Sequence, residues 1–227
     1  MAGFFITGTD TGVGKTWATV ALMRFLKARG SSVIGMKPVA SGCFRKDGEL
    51  RNEDALLLME NASLVVDYAK INIYAFEQPV SPHIAAKTVG ETVEIEKIVL
   101  HCRELEAQAD FVLVEGIGGW EVPLNDTKKV SQLAFALQMP VIMVVGLKLG
   151  CLNHAFLTHD AIIGSGVTGA GWIANCIDAD ICCLEENLKT LESGLSFPCL
   201  GIVPYCARLD GLMPNYFNER DFFRKCS

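Results

Sequence analysis

The run Gly8-Thr-Asp-Thr-Gly-Val-Gly14-Lys15-Thr16 restricts this chain to few folds. An apolar stretch, Phe4 to Thr7, precedes it, and an apolar-periodic stretch from about Lys15 to Arg29 follows, with Gly30 placed to stop it. The first reads as a short buried strand and the second as a helix, so the glycines form the turn between them. Backbone N–H groups in such a turn, with the helix N-terminus behind them, cradle phosphate oxygens. Thr11, Gly12, Val13 and Gly14 would supply that backbone, Lys15 would neutralise β and γ phosphates, and Thr16 would place a hydroxyl on Mg2+. Trp17, the next residue, is given no part in holding the nucleotide.

The run departs from the strict P-loop pattern at one point. Glycine belongs six residues before the lysine, and Thr9 stands there with Gly8 one residue earlier. A second element of the same chemistry lies downstream. Phe111-Val-Leu-Val-Glu115 reads as a buried strand ending in a carboxylate, the Walker B arrangement with glutamate in place of aspartate, which can hold or orient Mg2+. Gly116, Gly118 and Gly119 follow it, removing side chains where backbone must approach a phosphate or substrate.

Four further strands are expected: Val33 to Met36, Pro140 to Gly146, Thr168 to Ala174 ending at Asn175, and Pro198 to Pro204. Helical patterns fill the gaps. The expected fold is therefore α/β, a single P-loop NTPase-like domain over residues 1–227, with a mainly parallel sheet covered by helices on both faces. Ligands of such sheets bind outside the carboxyl ends of the strands. The polar stretch from Gly42 to Asn52 and the last fourteen residues, Pro214 to Ser227, show no periodicity and are expected to be mobile without ligand.

Several other residues fall on the same rim. Lys37, at the end of the second strand, could stabilise phosphoryl charge or be a solvated lysine, and Ser41 follows it. Asp54 reads as a first-turn acid complementing a helix dipole. Ser81-Pro82-His83 reads as a helix start, with Ser81 as cap, Pro82 in the first turn and His83 incidental. Asn175 could pair with the N6 and N7 edge of adenine. Asn175-Cys-Ile-Asp178 has the spacing of a guanine-reading loop, but Cys176 occupies the place of its lysine, so ATP is favoured over GTP. Pro204, Tyr205 and Cys206 could wall the base or simply form a turn.

The net charge of −6 over 227 residues has no basic patch, which argues against nucleic acid and anionic lipid as partners. No basic leader opens the chain and no apolar run can span a bilayer, so a cytoplasmic location and no membrane association are expected. The nine cysteines are scattered and odd in number, and read as reduced thiols rather than a disulfide scaffold or a zinc site.

These residues together resemble the dethiobiotin synthetase family. The likeness runs through the phosphate loop, Lys37-Pro-Val-Ala-Ser-Gly42, Arg51-Asn-Glu-Asp54-Ala, Ser81-Pro-His83, Val114-Glu-Gly-Ile-Gly-Gly-Trp120, Val145-Gly-Leu-Lys-Leu-Gly150-Cys-Leu-Asn153-His-Ala and Gly171-Trp-Ile-Ala-Asn175. It covers roughly positions 4 to 206. The resemblance implies 7,8-diaminononanoate, CO2 and ATP as substrates, with Mg2+ as cofactor. One amine becomes a carbamate, ATP phosphorylates it, and the second amine closes the ureido ring. It further implies that Lys15 and Lys37 stabilise phosphoryl transfer, that Thr16, Asp54 and Glu115 hold Mg2+, and that Ser41 touches the diamine or carbamate. A homodimer is implied too, each site completed by Gly150, Cys151 and Asn153 of the other subunit. Past Cys206 no motif matches, and the segment from Asp180 to Lys189 shows no readable pattern.

Two rivals compete with this reading. An amide-forming ligase of the cobyrinic acid synthetase type needs a glutaminase domain, for which this chain is too short. A partitioning or positioning switch ATPase usually carries a second lysine early in its phosphate loop, where this chain has Asp10 and Thr11.

Overall fold

The computed structural model describes residues 2–219 and Phe222. Its centre is a sheet of six strands: β1 (Ala2–Gly8), β2 (Val33–Met36), β7 (Phe111–Glu115), β8 (Val141–Leu147), β9 (Gly169–Cys176) and β10 (Cys199–Val203). Their order is β10-β9-β8-β1-β7-β2, and every neighbouring pair is parallel. All residues of β2, β7, β8 and β9 are buried. That is the burial of a parallel sheet covered on both faces, where strands become apolar runs without alternation.

The period-2 geometry of a strand sorts those residues into two cores. Phe5 on β1 and Val141, Met143 and Val145 on β8 belong to one, with residues of helices α5 (Ile95–Glu106), α6 (Val130–Leu137), α7 (Cys151–Gly164) and α8 (Leu184–Gly194). Phe4, Ile6, Ile142 and Val144 belong to the other, with helix α1 (Lys15–Lys27). Ten of the thirteen residues of α1 are buried, so its apolar positions run nearly all the way round. The helix ends two residues before the expected Arg29, and Gly30 takes the left-handed backbone predicted for the stop.

The segment between β2 and β7 builds a wall over one end of the sheet. It contains strand β3 (Val39–Ser41), which pairs in parallel with β6 (Tyr74–Phe76), and helices α2 (Glu53–Asn61), α3 (Tyr68–Ile71) and α4 (Pro82–Thr88). The stretch from Gly42 to Asn52, expected to be mobile, instead contains an antiparallel hairpin of β4 (Phe44–Lys46) and β5 (Glu49–Arg51). Asp47 and Gly48 form its two-residue turn with φ of 52° and 85°. Asp-Gly is the sequence that favours this turn, because both central residues must take positive φ.

The expectation for Pro214 to Ser227 lies partly outside the described residues. Within them, Phe217 and Phe222 are buried against Phe25 of α1, and Phe217 bridges to Gly201 on β10. The expected strands Val33–Met36 and Phe111–Glu115 match the structure without a shift, and the ends of the other four differ by one or two residues. Among the described residues no helix is long and apolar enough to cross a membrane. Cys43, Cys102, Cys151 and Cys176 are free and buried, while Cys182 and Cys183 are free and exposed. Burial pushes the Cys102 thiol up to about 12, which makes it chemically inert.

Candidate active site

Three strand ends meet above β1. In the sheet register Ile6 lies beside Glu115 and Met36 beside Val114, so the loop after β1, the end of β7 and the end of β2 open at one level. From β1 the chain passes through α1 to β2 on the β7 side, while β8, β9 and β10 extend the other way. A reversal of this kind leaves a crevice at the carboxyl end of the central strand.

A cavity of about 670 Å3 occupies that position. Thr11, Gly12, Gly14, Lys15 and Thr16 line it from the loop, Lys37 and Ser41 from the ends of β2 and β3, Asp54 from α2, and Glu115 and Gly118 from β7 and its glycine turn. Trp17, given no part from sequence, also lines the cavity from the first turn of α1, so the wall continues one residue past the motif. Gly14 caps α1 with φ of 78°, and a Cβ there would lie 2.0 Å from Asn175 Nδ2. Glycine is required on both counts. Thr9, the residue out of pattern, donates its backbone N–H to Val144 O of β8 at 3.1 Å, which anchors the start of the loop to the sheet.

The charged groups form one cluster around Glu115, which is fully buried. Its Oε1 accepts hydrogen bonds from Thr16 Oγ1 at 2.9 Å and from Lys37 Nζ at 2.6 Å. Lys37 Nζ also reaches Asp54 Oδ2 at 3.1 Å and Gly116 O at 3.3 Å. Burial alone would push the Lys37 ammonium down, but Glu115 and Asp54 outweigh it and hold the group above the ordinary lysine value. Burial likewise opposes ionisation of Asp54, yet Lys37, followed by Thr16, keeps that carboxyl below the usual range. Lys15 behaves in the opposite way. Burial and the nearby Lys37 charge lower it to about 8, and its ammonium donates to Asp10 O at 3.0 Å.

The oxygen set fits Mg2+. Glu115 Oε2 and Ser41 Oγ are buried without a hydrogen-bond partner, and an unpartnered carboxylate oxygen in a polar cavity marks a place for a ligand. Among the described residues no cluster of three or more His, Cys, Asp or Glu could hold a metal. One or two carboxylates, a hydroxyl and substrate oxygens are the usual company of Mg2+.

Lys37 and Asp54 are held by a chain of polar groups, buried Asn52 and Asn72 joined by half-buried Tyr68, that sequence reasoning missed. Asn72 Nδ2 donates to the Lys37 carbonyl at 2.8 Å, and Tyr68 Oη donates to Asn72 Oδ1 at 2.9 Å. The backbone N–H of Asn52 donates to Tyr68 Oη at 2.7 Å, and Asn52 Oδ1 caps α2 through Ala55 N. The signal available was Asn52 itself, an asparagine placed immediately before a helix. Ser81 also differs from expectation. It precedes Pro82 and α4 as predicted, but its side chain makes no capping bond and lies 2.9 Å from His83 Nδ1.

Not every predicted residue reaches the cavity wall. Val13 is buried beneath the loop, and its carbonyl accepts from Asn175 Nδ2 at 3.0 Å. That bond uses one of the two N–H groups of the Asn175 amide. Gly116 does not line the cavity, and its carbonyl accepts from Lys37 Nζ at 3.3 Å. Pro204, Tyr205 and Cys206 follow β10 and do not line the cavity, and Tyr205 is half exposed. Gly150 caps α7 beyond β8, with Cys151 buried and Asn153 exposed, and none of the three lines the cavity.

Residues 2–212 match the family model described as an AAA domain. The ATP-dependent dethiobiotin synthetase BioD of Cellvibrio japonicus is 47% identical over 201 residues, covering 88% of both chains. The enzyme of the same name from Pseudomonas paraeruginosa is 48% identical over 210 residues, covering 91% of both. This chain belongs to the dethiobiotin synthetase family.

Solved structures place the family's fold in a wider setting. A chain of the MinC:MinD cell division protein complex of Aquifex aeolicus superposes with a TM-score of 0.59 at 20% identity, over 94% of this chain and 86% of that one. MinD of Pyrococcus horikoshii, solved with Mg-ADP, gives 0.56 at 15% identity, over 99% and 93%. At these identities the likeness concerns the fold, a parallel P-loop sheet shared by this dethiobiotin synthetase relative and the septum-site proteins.

Proposed function

We propose that the chain is an ATP-dependent cyclo-ligase of biotin biosynthesis, which converts 7,8-diaminononanoate, CO2 and ATP into dethiobiotin, ADP and phosphate. The observation that carries this reading is the meeting of Lys37, Glu115 and Asp54 with the phosphate loop, in one cavity of a chain nearly half identical to dethiobiotin synthetases.

In this reading Thr11 to Thr16 hold the triphosphate, with Gly116 and Gly118 giving close backbone approach. Asn175, Pro204, Tyr205 and Cys206 lie on the side of the base. Lys15 and Lys37 offset the charge that spreads over the transferred phosphoryl group. Ser41, whose hydroxyl has no protein partner, hydrogen-bonds the diamine or its carbamate. Thr16, Asp54 and Glu115 would hold Mg2+, which would offset the negative charge of the triphosphate. The chain forms a single domain over residues 1–227 and works in the cytoplasm. It pairs as a homodimer in which Gly150, Cys151 and Asn153 complete the other subunit's substrate site. The wholly exposed Leu149 beside Gly150, with exposed Leu157 on α7, supports that contact.

The test is ADP release from Mg-ATP and bicarbonate, with and without the diamine, alongside mass detection of dethiobiotin. Diamine-dependent release with matching product is the expected result. Hydrolysis indifferent to the diamine, without a cyclic urea, would replace this reading with a switch ATPase.

A further inference from the structure

The reaction proposed above must remove protons from two amines, and the inference that follows rests on that reading. The charged groups of the cavity are poorly suited to accept them. Lys37 already carries its proton in a buried ion pair, Glu115 Oε1 is occupied by Lys37 and Thr16 while its Oε2 is the oxygen left for Mg2+, and Lys15 is kept charged by the triphosphate beside it. Asp54 is paired with Lys37 and is a weak base.

Ser81 stands on the wall of the same cavity as Lys37, Ser41 and Asp54. Its loop packs beside Ser41, where Gly42 N donates to Gln78 O at 3.2 Å. The Ser81 hydroxyl forgoes the helix-capping bond its position invites and faces His83 Nδ1 at 2.9 Å. His83 in turn borders a second, separate cavity of about 210 Å3, lined also by Lys87, Glu91, Asn125 and Asp126. A hydroxyl on one cavity is thus joined through an imidazole to another.

We propose that Ser81 and His83 form a proton relay from the substrate amine to solvent in the second cavity. In ring closure the amine nitrogen forms a bond to the carbamoyl carbon, the carbon–oxygen bond to phosphate breaks, and phosphate leaves with the electron pair. The ammonium proton passes to Ser81 Oγ as the hydroxyl proton passes to His83 Nδ1. The imidazolium so formed loses its Nε2 proton to water, and tautomeric exchange through solvent restores the Nε2–H form before the next turnover. This path needs His83 neutral with its proton on Nε2, the tautomer in which Nδ1 accepts from Ser81. Ser81 is the group that touches substrate, and His83 acts through it.

The experiment compares wild type, Ser81→Ala, His83→Ala and His83→Asn in diamine-dependent dethiobiotin formation. Asparagine keeps an acceptor for the Ser81 hydroxyl but cannot carry a proton onward. All three variants should lose kcat on the order of a hundredfold, with KM for ATP little changed. Imidazole added to the medium should restore His83→Ala, because the side chain borders a cavity of its own, and should not restore His83→Asn. Full activity in His83→Asn, or no rescue of a folded His83→Ala, overturns the relay. Absence of dethiobiotin from the wild type would instead overturn the proposed function.

Discussion

Lys37 and Glu115, from the ends of strands separated by 78 positions in the chain, form a buried ion pair with Nζ 2.6 Å from Oε1. Removing one partner of such a pair leaves the other as an uncompensated buried charge, a loss of roughly 3–5 kcal/mol, whereas replacing both with groups of similar shape is far less costly. Lys37→Gln should therefore lower both kcat, by about a hundredfold or more, and thermal stability, while KM for ATP moves little. Lys37→Met with Glu115→Gln should regain much of the melting temperature but none of the activity. Calorimetry and turnover on the same samples separate the two losses, and a stable, active single variant would remove Lys37 from the chemistry.

Asp54 should behave differently, because its side chain is 41% exposed. Surface-accessible pairs contribute about 0–1 kcal/mol, so Asp54→Asn should leave the melting temperature nearly unchanged. Its effect should fall on the metal, raising the Mg2+ concentration for half-maximal activity by about tenfold or more. An unaltered Mg2+ titration would exclude Asp54 from the metal site.

Lys15 yields a pH prediction with a definite sign. Its folded value near 8 lies below the ordinary 10.5, so between those values the unfolded chain binds more protons. Stability contributed by this group accordingly rises with pH from about 8 to 10.5, and its cost is full below 8. Triphosphate beside Lys15 restores the charge. ATP binding should thus draw in protons near pH 8.5 and fewer near pH 7, read by calorimetry in buffers of different ionisation enthalpy. Equal uptake at both would place Lys15 away from the phosphates.

Tyr68→Phe removes the hydroxyl linking Asn52 to Asn72 and hence α2 to the Lys37 carbonyl. It leaves buried polar groups without a partner, a cost of about 1–3 kcal/mol. The variant should melt earlier and show reduced kcat, since both Lys37 and Asp54 lose a support. A lower melting temperature with unchanged kcat would make the chain purely structural.

The elements read correctly from sequence are the local ones. The strand, glycine turn and helix around Lys15 each occupy a few neighbouring residues, and their periodicity and backbone demands are visible without the rest of the chain. The hairpin at Asp47-Gly48 was also legible in principle, since that dipeptide selects its turn, but the polarity of the stretch concealed it. Ser81 shows the limit of positional rules: the sequence marks it as a helix cap, and only the fold reveals that its hydroxyl lies 2.9 Å from His83 Nδ1.

Sequence by itself determined the strand, glycine turn and helix of a phosphate-loop unit, that the sheet is parallel and that the chain belongs with dethiobiotin synthetases. These follow from short motifs whose chemistry is carried by adjacent atoms. Tertiary structure decided how Thr16, Lys37, Asp54 and Glu115 act on one another, because strand order and register, rather than spacing along the chain, bring them within hydrogen-bonding distance. The protonation of Lys15 and Lys37 was likewise out of reach of sequence. It depends on burial and on which charges face each ammonium, quantities that exist only once the sheet has formed.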